Sequence, residues 1–132
     1  MAYEISNSAV KITLPAAADL STKQYYFVKV NSSGQAALCA AATDKPIGVL
    51  QNAPAAAGDA AEILVIGGTK LVTNGACDEG DLVGTASTGK GAPYVAGTDT
   101  TKYIVGSVIL ASGADAEIAT VIINCASTSR GA

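Results

Sequence analysis

The chain has no histidine, no tryptophan and a single phenylalanine, Phe27. Without histidine there is no Ser-His-Asp or Cys-His catalytic group, because the imidazole base is missing. His-ligated zinc and haem are excluded on the same ground. Charge is also scarce: charged residues make up 14% of the chain, against about 25% in ordinary globular domains. There are 8 basic residues against 11 acidic ones, and Arg130 is the one arginine. Nucleic-acid binders gather Lys and Arg into patches that displace counterions. Here the lysines are scattered, so no nucleic-acid partner is expected. No apolar run is long enough for a membrane-spanning helix. The start Met1-Ala2-Tyr3-Glu4-Ile5 lacks the basic and apolar regions of a signal peptide. No membrane partner is expected, and synthesis in a cytoplasm without export is the expected route.

What the chain does have is small and apolar. Alanine (26), glycine (14), serine (10) and threonine (12) supply close to half of the 132 residues, a length that fits one domain. Hydrophobic residues reach 49%, too many for a disordered chain of low net charge. A surface so poor in charge is badly defended against association. Burial of that surface against copies or a partner is therefore expected.

Apolar stretches are short, rich in Val and Ile, and separated by Gly, Asn, Asp, Ser and Pro. This predicts an all-β domain, a compact barrel or sandwich with short loops and at most a short helical turn. Strands are expected over 10–14, 25–30, 36–40, 47–50, 62–67, 70–73, 81–85, 93–95, 103–111 and 117–125. Ser32-Ser33-Gly34-Gln35 and Ser87-Thr88-Gly89-Lys90 read as hairpin turns, since Gly accepts the positive φ that tight turns need. The two halves also resemble each other at an offset of 55 residues, with Val28 over Val83, Gly34 over Gly89 and Ala61-Glu62-Ile63 over Ala116-Glu117-Ile118. Pro46-Ile47-Gly48-Val49-Leu50 fits Ile104-Val105-Gly106-Ser107-Val108 only after a further small shift. One β unit present twice is the physical content of this pattern; two copies are too few for a solenoid.

Candidate chemistry is thin. Gly84-Thr85-Ala86-Ser87-Thr88-Gly89-Lys90 looks like the start of a phosphate loop, but Gly91 follows where Ser or Thr must hold magnesium, and no helix comes next. Asp78-Glu79-Gly80-Asp81 lacks the alternating acids of a calcium loop and reads as a polar turn. Glu62 and Glu117 are the acids that a glycosidase-like pair would use, yet each begins an apolar strand, at matching places in the two halves. Cys39, Cys77 and Cys125 form no Cys-x-x-Cys pair. They read as three small buried thiols in a reducing compartment, with one disulfide plus a free thiol as the alternative. No catalytic, cofactor or metal residues are assigned.

The order of motifs carries a resemblance. Pro46-Ile47-Gly48-Val49-Leu50 is followed by a loop with Ala55-Ala56-Ala57-Gly58-Asp59, then by Glu62-Ile63-Leu64-Val65-Ile66-Gly67-Gly68. Asn74-Gly75-Ala76 and Glu79-Gly80-Asp81-Leu82-Val83 come next. Together they resemble the small decoration, or cement, proteins of tailed-phage capsids, with a looser likeness to lambda-type head-stabilising proteins. The resemblance implies a structural protein without enzyme activity or cofactor. It implies a homotrimer on the outer capsid surface of the virion, made in the host cytoplasm, that bridges major capsid protein subunits and stabilises the head. Segment 1–14 is then either an arm or the domain's first strand. As an arm, its apolar residues could add a strand to a capsid subunit. The residues expected at a capsid or subunit interface are Tyr3, Ile5, Val10, Ile12 and Leu14, with Tyr25 and Tyr26 from the one aromatic cluster. Rival readings are another virion subunit (head fibre or tail tube), a carbohydrate- or cell-binding β module, and a small carboxylate hydrolase.

Overall fold

A computed structural model describes residues 9–132; Tyr3 and Ile5 lie outside the described residues. Among the described residues every regular element is a strand. The axis of the molecule is β5 (Ala60–Asn74), 15 residues long. Its sequence reads as two strands broken at Gly67-Gly68. The structure keeps it whole because β10 pairs without interruption across Gly68, Gly67 and Ile66, with Gly67 at φ 134, a value that side chains other than hydrogen resist.

The first half of β5 pairs with β1 (Val10–Pro15) and β4 (Gly48–Leu50). The second half pairs with β10 (Asp115–Asn124) and touches β7 (Gly91–Tyr94) through Thr73 and Gly91. With β6 (Leu82–Thr85) and β9 (Gly106–Leu110) between them, β5, β10, β9, β6 and β7 close a five-stranded barrel. The remaining major strands, β2 (Phe27–Val30) and β3 (Ala36–Leu38), lie beyond β4. A small pair, β8 (Tyr103–Ile104) with β11 (Ser129–Arg130), stands apart.

The internal duplication is visible in the register. β2 and β3 pair Val28 with Leu38, Lys29 with Ala37 and Val30 with Ala36; β6 and β7 pair Val83 with Pro93, Gly84 with Ala92 and Thr85 with Gly91. Every partner is displaced by 55 residues. Asp44 and Asp99, at the same displacement, each accept a backbone N–H with a carboxylate oxygen, from Ala40 and from Val95. Beyond Asp99 the displacement becomes 58: Val49–Leu64 and Leu50–Ile63 correspond to Ser107–Ile122 and Val108–Val121. Three extra residues, Thr100-Thr101-Lys102, account for the change. The parallel contact of Ala16 with Ala36 closes the first unit where Thr73 with Gly91 closes the second. Thus the first half of β5 is the last strand of unit one, and its second half is the first strand of unit two.

One part of the sequence-based match needs correction. Ala61-Glu62-Ile63 corresponds to Ala119-Thr120-Val121, not to Ala116-Glu117-Ile118. The three-residue insertion moves the true counterparts along, and Glu62 and Glu117 are not equivalent.

Each unit has its own apolar filling. Val28, Leu50, Ala61 and Ile63 pack with Ile12 and Leu14 in unit one. Val83, Val108, Ala119 and Val121 pack with Leu71 in unit two. Gly48 and Gly106 hold the same place in each. A methyl group at Gly48 would collide with the Leu64 carbonyl oxygen, and one at Gly106 with the Ile122 carbonyl oxygen. These are backbone atoms and cannot swing aside.

Three pairs of left-handed residues recur between the units, but not always as glycine. Gly34 (φ 75) matches Gly89 (φ 82), Tyr25 (φ 66) matches Gly80 (φ 86), and Ala116 (φ 65) matches Gly58 (φ 88). Two side-chain-bearing residues therefore carry strain that the other copy avoids. Replacing exposed Ala116 with Gly should raise stability by about 1 kcal/mol in urea unfolding, and Gly58→Ala, where only φ is at issue, should lower it by about 1 kcal/mol. Gly48→Ala and Gly106→Ala should each cost about 2 kcal/mol or more, because overpacking here must displace a neighbouring strand.

Candidate functional site

Among the described residues no group of three or more Asp, Glu or Cys is placed to hold a metal ion. Asp78 and Asp81 close a turn on each other, the Asp78 N–H donating to Asp81 Oδ2 at 2.9 Å, and lead into β6. Glu62 and Glu117 are both exposed, and Glu117 Oε2 accepts the Gly113 N–H at 2.7 Å. The segment resembling a phosphate loop is the hairpin turn between β6 and β7, where Lys90 Nζ meets Asp115 Oδ1 at 3.0 Å.

The cysteines are free thiols, and all three are buried. Burial pushes Cys39 up to about 12, against a hydrogen bond with Thr85 that acts the other way. Burial, with nearby Cys39 in second place, pushes Cys125 up to about 12 as well. Burial raises Cys77 too. Such thiols are packing groups, since the thiolate is the reactive form. Asp44 behaves differently. Burial works to raise its carboxyl, but the Lys29 ammonium at 2.9 Å and the Ala40 and Ala41 amides outweigh it and hold it below the ordinary range.

The expected interface residues fall in several environments. Ile12 and Leu14 are half-buried and turn into the cores, because β1 is paired to β5 as the fold's own strand. Val10, at the start of β1, is 49% exposed. Tyr25 is half-buried, with its ring against the core that holds Phe27 and Lys70 Nζ 5.7 Å from the ring centre. Its N–H donates to the Leu50 carbonyl and its carbonyl accepts the Val72 N–H, which fixes the left-handed turn. Tyr26 is half-buried, with Lys23 Nζ 5.0 Å from its ring centre.

A surface that strand patterning did not single out is the outer side of β9 and β10. Ile109, Leu110, Ile118 and Ile122 are there 49%, 58%, 51% and 50% exposed. Thr120 and Ser107 lie among them, opposite Leu110 and Ile122 in the ladder. A shallow open depression bounded by Gly67, Gly106, Ser107, Ile122 and Asn124 adjoins this face, and no ionisable side chain lines it. Full burial of an Ile or Leu stabilises by about 1.5–3 kcal/mol. Each half-exposed member therefore leaves about 1 kcal/mol unrealised in the single chain. The alternation along 117–125 shows only that Ile118 and Ile122 share the side opposite Ala119, Val121 and Ile123, which are buried.

No protein-family model and no curated protein matches the chain. Among solved structures, it is similar in fold to the N base of the head fibre protein gp8.5 of bacteriophage phi29. The identity is 15%, the TM-score is 0.63, and the match covers 89% of this chain and 96% of that one. The likeness is one of fold, and it runs through both units.

Two outcomes follow from the thiols. In the folded protein none of the three should alkylate at neutral pH, while all three should in urea, as read by mass. Because the fold favours the neutral thiol of Cys39 and Cys125, their contribution is complete below about pH 9 and is lost as pH rises toward about 12. Urea unfolding across that range should show falling stability, with a shallower fall in a Cys39→Ala/Cys125→Ala variant.

Proposed function

We propose that this chain is a structural component of a bacteriophage virion, carried on the outer surface of the capsid. There it binds the major capsid protein and stabilises the shell by bridging neighbouring subunits. The observation that carries this reading is the end-to-end likeness in fold to the base of a phage head fibre. Two features of the chain support it. No group of acids and thiols placed to hold a metal ion forms among the described residues, and four large exposed apolar residues gather on the outer side of β9 and β10. Many copies, each adding a modest contact, would give the shell a large total stabilisation. The same likeness favours one second reading, in which the chain is the base on which a head fibre stands.

Purified protein added to capsids that lack it should co-sediment with them and saturate at a fixed ratio. Decorated shells should then resist a higher temperature than bare ones. Saturable binding with no gain in heat resistance would turn the reading to the fibre base. Absence of binding to mature and immature shells alike would overturn the capsid role.

A further inference from the structure

We propose that Asn74 is a site of spontaneous covalent modification, where the side-chain amide closes on the Gly75 nitrogen, releases ammonia and leaves a carboxylate at the end of β5. The reaction needs a side-chain amide that is not held elsewhere. It also needs a following backbone nitrogen free of hydrogen bonds, and room around that nitrogen. The described residues include four asparagines, Asn31, Asn52, Asn74 and Asn124. Three are held. Asn31 Oδ1 accepts the Ser33 and Gln35 N–H groups, and its Nδ2 donates to Gln35 Oε1. Asn52 Nδ2 donates to the Ala60 carbonyl, and its Oδ1 accepts the Glu62 N–H. Asn124 Oδ1 accepts the Ala126 N–H, and the nitrogen that follows it, in Cys125, donates to the Val65 carbonyl at 2.9 Å.

Asn74 differs on every count. It is exposed, and among the described residues neither its side chain nor the Gly75 N–H makes a hydrogen bond. The residue after it is glycine, and a Cβ there would meet nothing within 4 Å, so the nitrogen can be approached. The neighbouring atoms are anchored instead. Thr73 is buried with its Oγ1 2.7 Å from Ser112 Oγ, and Ser112 Oγ lies 3.4 Å from the Gly75 carbonyl oxygen. The atoms that would form the ring, the Asn74 side chain and the Gly75 nitrogen, stand outside this network.

The Gly75 nitrogen gives up its proton and bonds to Asn74 Cγ. The Cγ–Nδ2 bond breaks, and the amine leaves with that proton as ammonia. Water then opens the cyclic imide. Cleavage between the nitrogen and Cγ leaves aspartate; cleavage between the nitrogen and the Asn74 backbone carbonyl carbon leaves isoaspartate, with the chain running through the side chain. Water is consumed, ammonia is released, and nothing is oxidised or reduced. Asn74 is the ladder partner of Asp115, whose Oδ1 lies 3.0 Å from Lys90 Nζ. The product therefore sets a second carboxylate opposite one that Lys90 already neutralises, and like charges directly opposite each other weaken a strand pair. Isoaspartate also lengthens the backbone just before the bridge between Cys77 and Ser112. The β5–β10 end is thus a position whose charge changes with the age of the protein.

This inference does not rest on the capsid reading, and its test needs no capsid. The full chain, as wild type, Gly75→Ala and Asn74→Asp, is stored warm at neutral pH and sampled over weeks. Each sample is digested, every asparagine peptide is read by mass, and isoaspartate is detected by its enzymatic methylation. In folded wild type the Asn74 peptide should steadily gain the mass of NH2 replaced by OH, partly as isoaspartate, while the Asn31, Asn52 and Asn124 peptides stay intact. In urea, where the bonds that hold Asn31 are gone, the Asn31 peptide should react as well. Gly75→Ala has open space for its methyl group, so it should keep the β-sheet spectrum and lose most of the modification, because the methyl hinders the nitrogen. Aged wild type and fresh Asn74→Asp should both melt below fresh wild type, and aged Gly75→Ala should melt as it does when fresh. An Asn74 peptide that stays intact in the folded protein, modification spread evenly over the four asparagines, or a folded Gly75→Ala that reacts as fast as wild type would overturn the proposal.

Discussion

One strand holds the molecule together. β5 ends the first unit and begins the second without leaving the ladder, and backbone hydrogen bonds cross between the units beside it, from Phe27 N–H to Gly89, from Val72 N–H to Tyr25 and from Cys125 N–H to Val65. Unpaired backbone groups in a buried strand are costly, which couples the two units through their shared backbone. Gly67, at φ 134, lies where the pairing passes from β1 and β4 to β10 and β7. The apolar cluster that joins Phe27 and Leu64 to Leu71 and Val83 reinforces the coupling from the side chains.

Duplication left the two copies alike in backbone and unlike in surface. The register, the closing parallel contacts, the clash-prone glycines and the left-handed turns are repeated. These are steric requirements of the fold, and a copy that lost them would lose the barrel. The outer side chains are under no such requirement. There Leu64 is buried where Ile122 is open, and Asn52 binds its own sheet where Leu110 faces out. Tyr25 shows the divergence reaching into the backbone: it sits at a left-handed position where the other copy has Gly80. Its ring gains core contact and a cation, Lys70, in return for strain that glycine would not carry.

Much of the fold was legible in residue pattern alone. Val and Ile alternation between Gly and Asn turns is enough to give strands, and Gly34 and Gly89 mark the two hairpins by the φ they must adopt. The repeat was legible as well, except where three inserted residues shifted the match and set Glu62 over the wrong partner. In sequence β5 reads as two strands, because glycine pairs ordinarily end strands, and only its neighbours on both sides keep it whole. The interface side was less legible. Ile12 and Leu14 alternate as an added strand would, and that same alternation serves a strand already paired with β5.

By itself the sequence determined the fold class, the twofold repetition of a β unit, and the absence of histidine-based chemistry, because these follow from residue types and their spacing. Tertiary structure alone decided which apolar residues are covered. Ile122 and Leu64 occupy the same place in the pattern of their units, and no local property of either predicts its exposure. The difference comes from packing order: among the described residues, unit one has the other unit on that side and unit two has none.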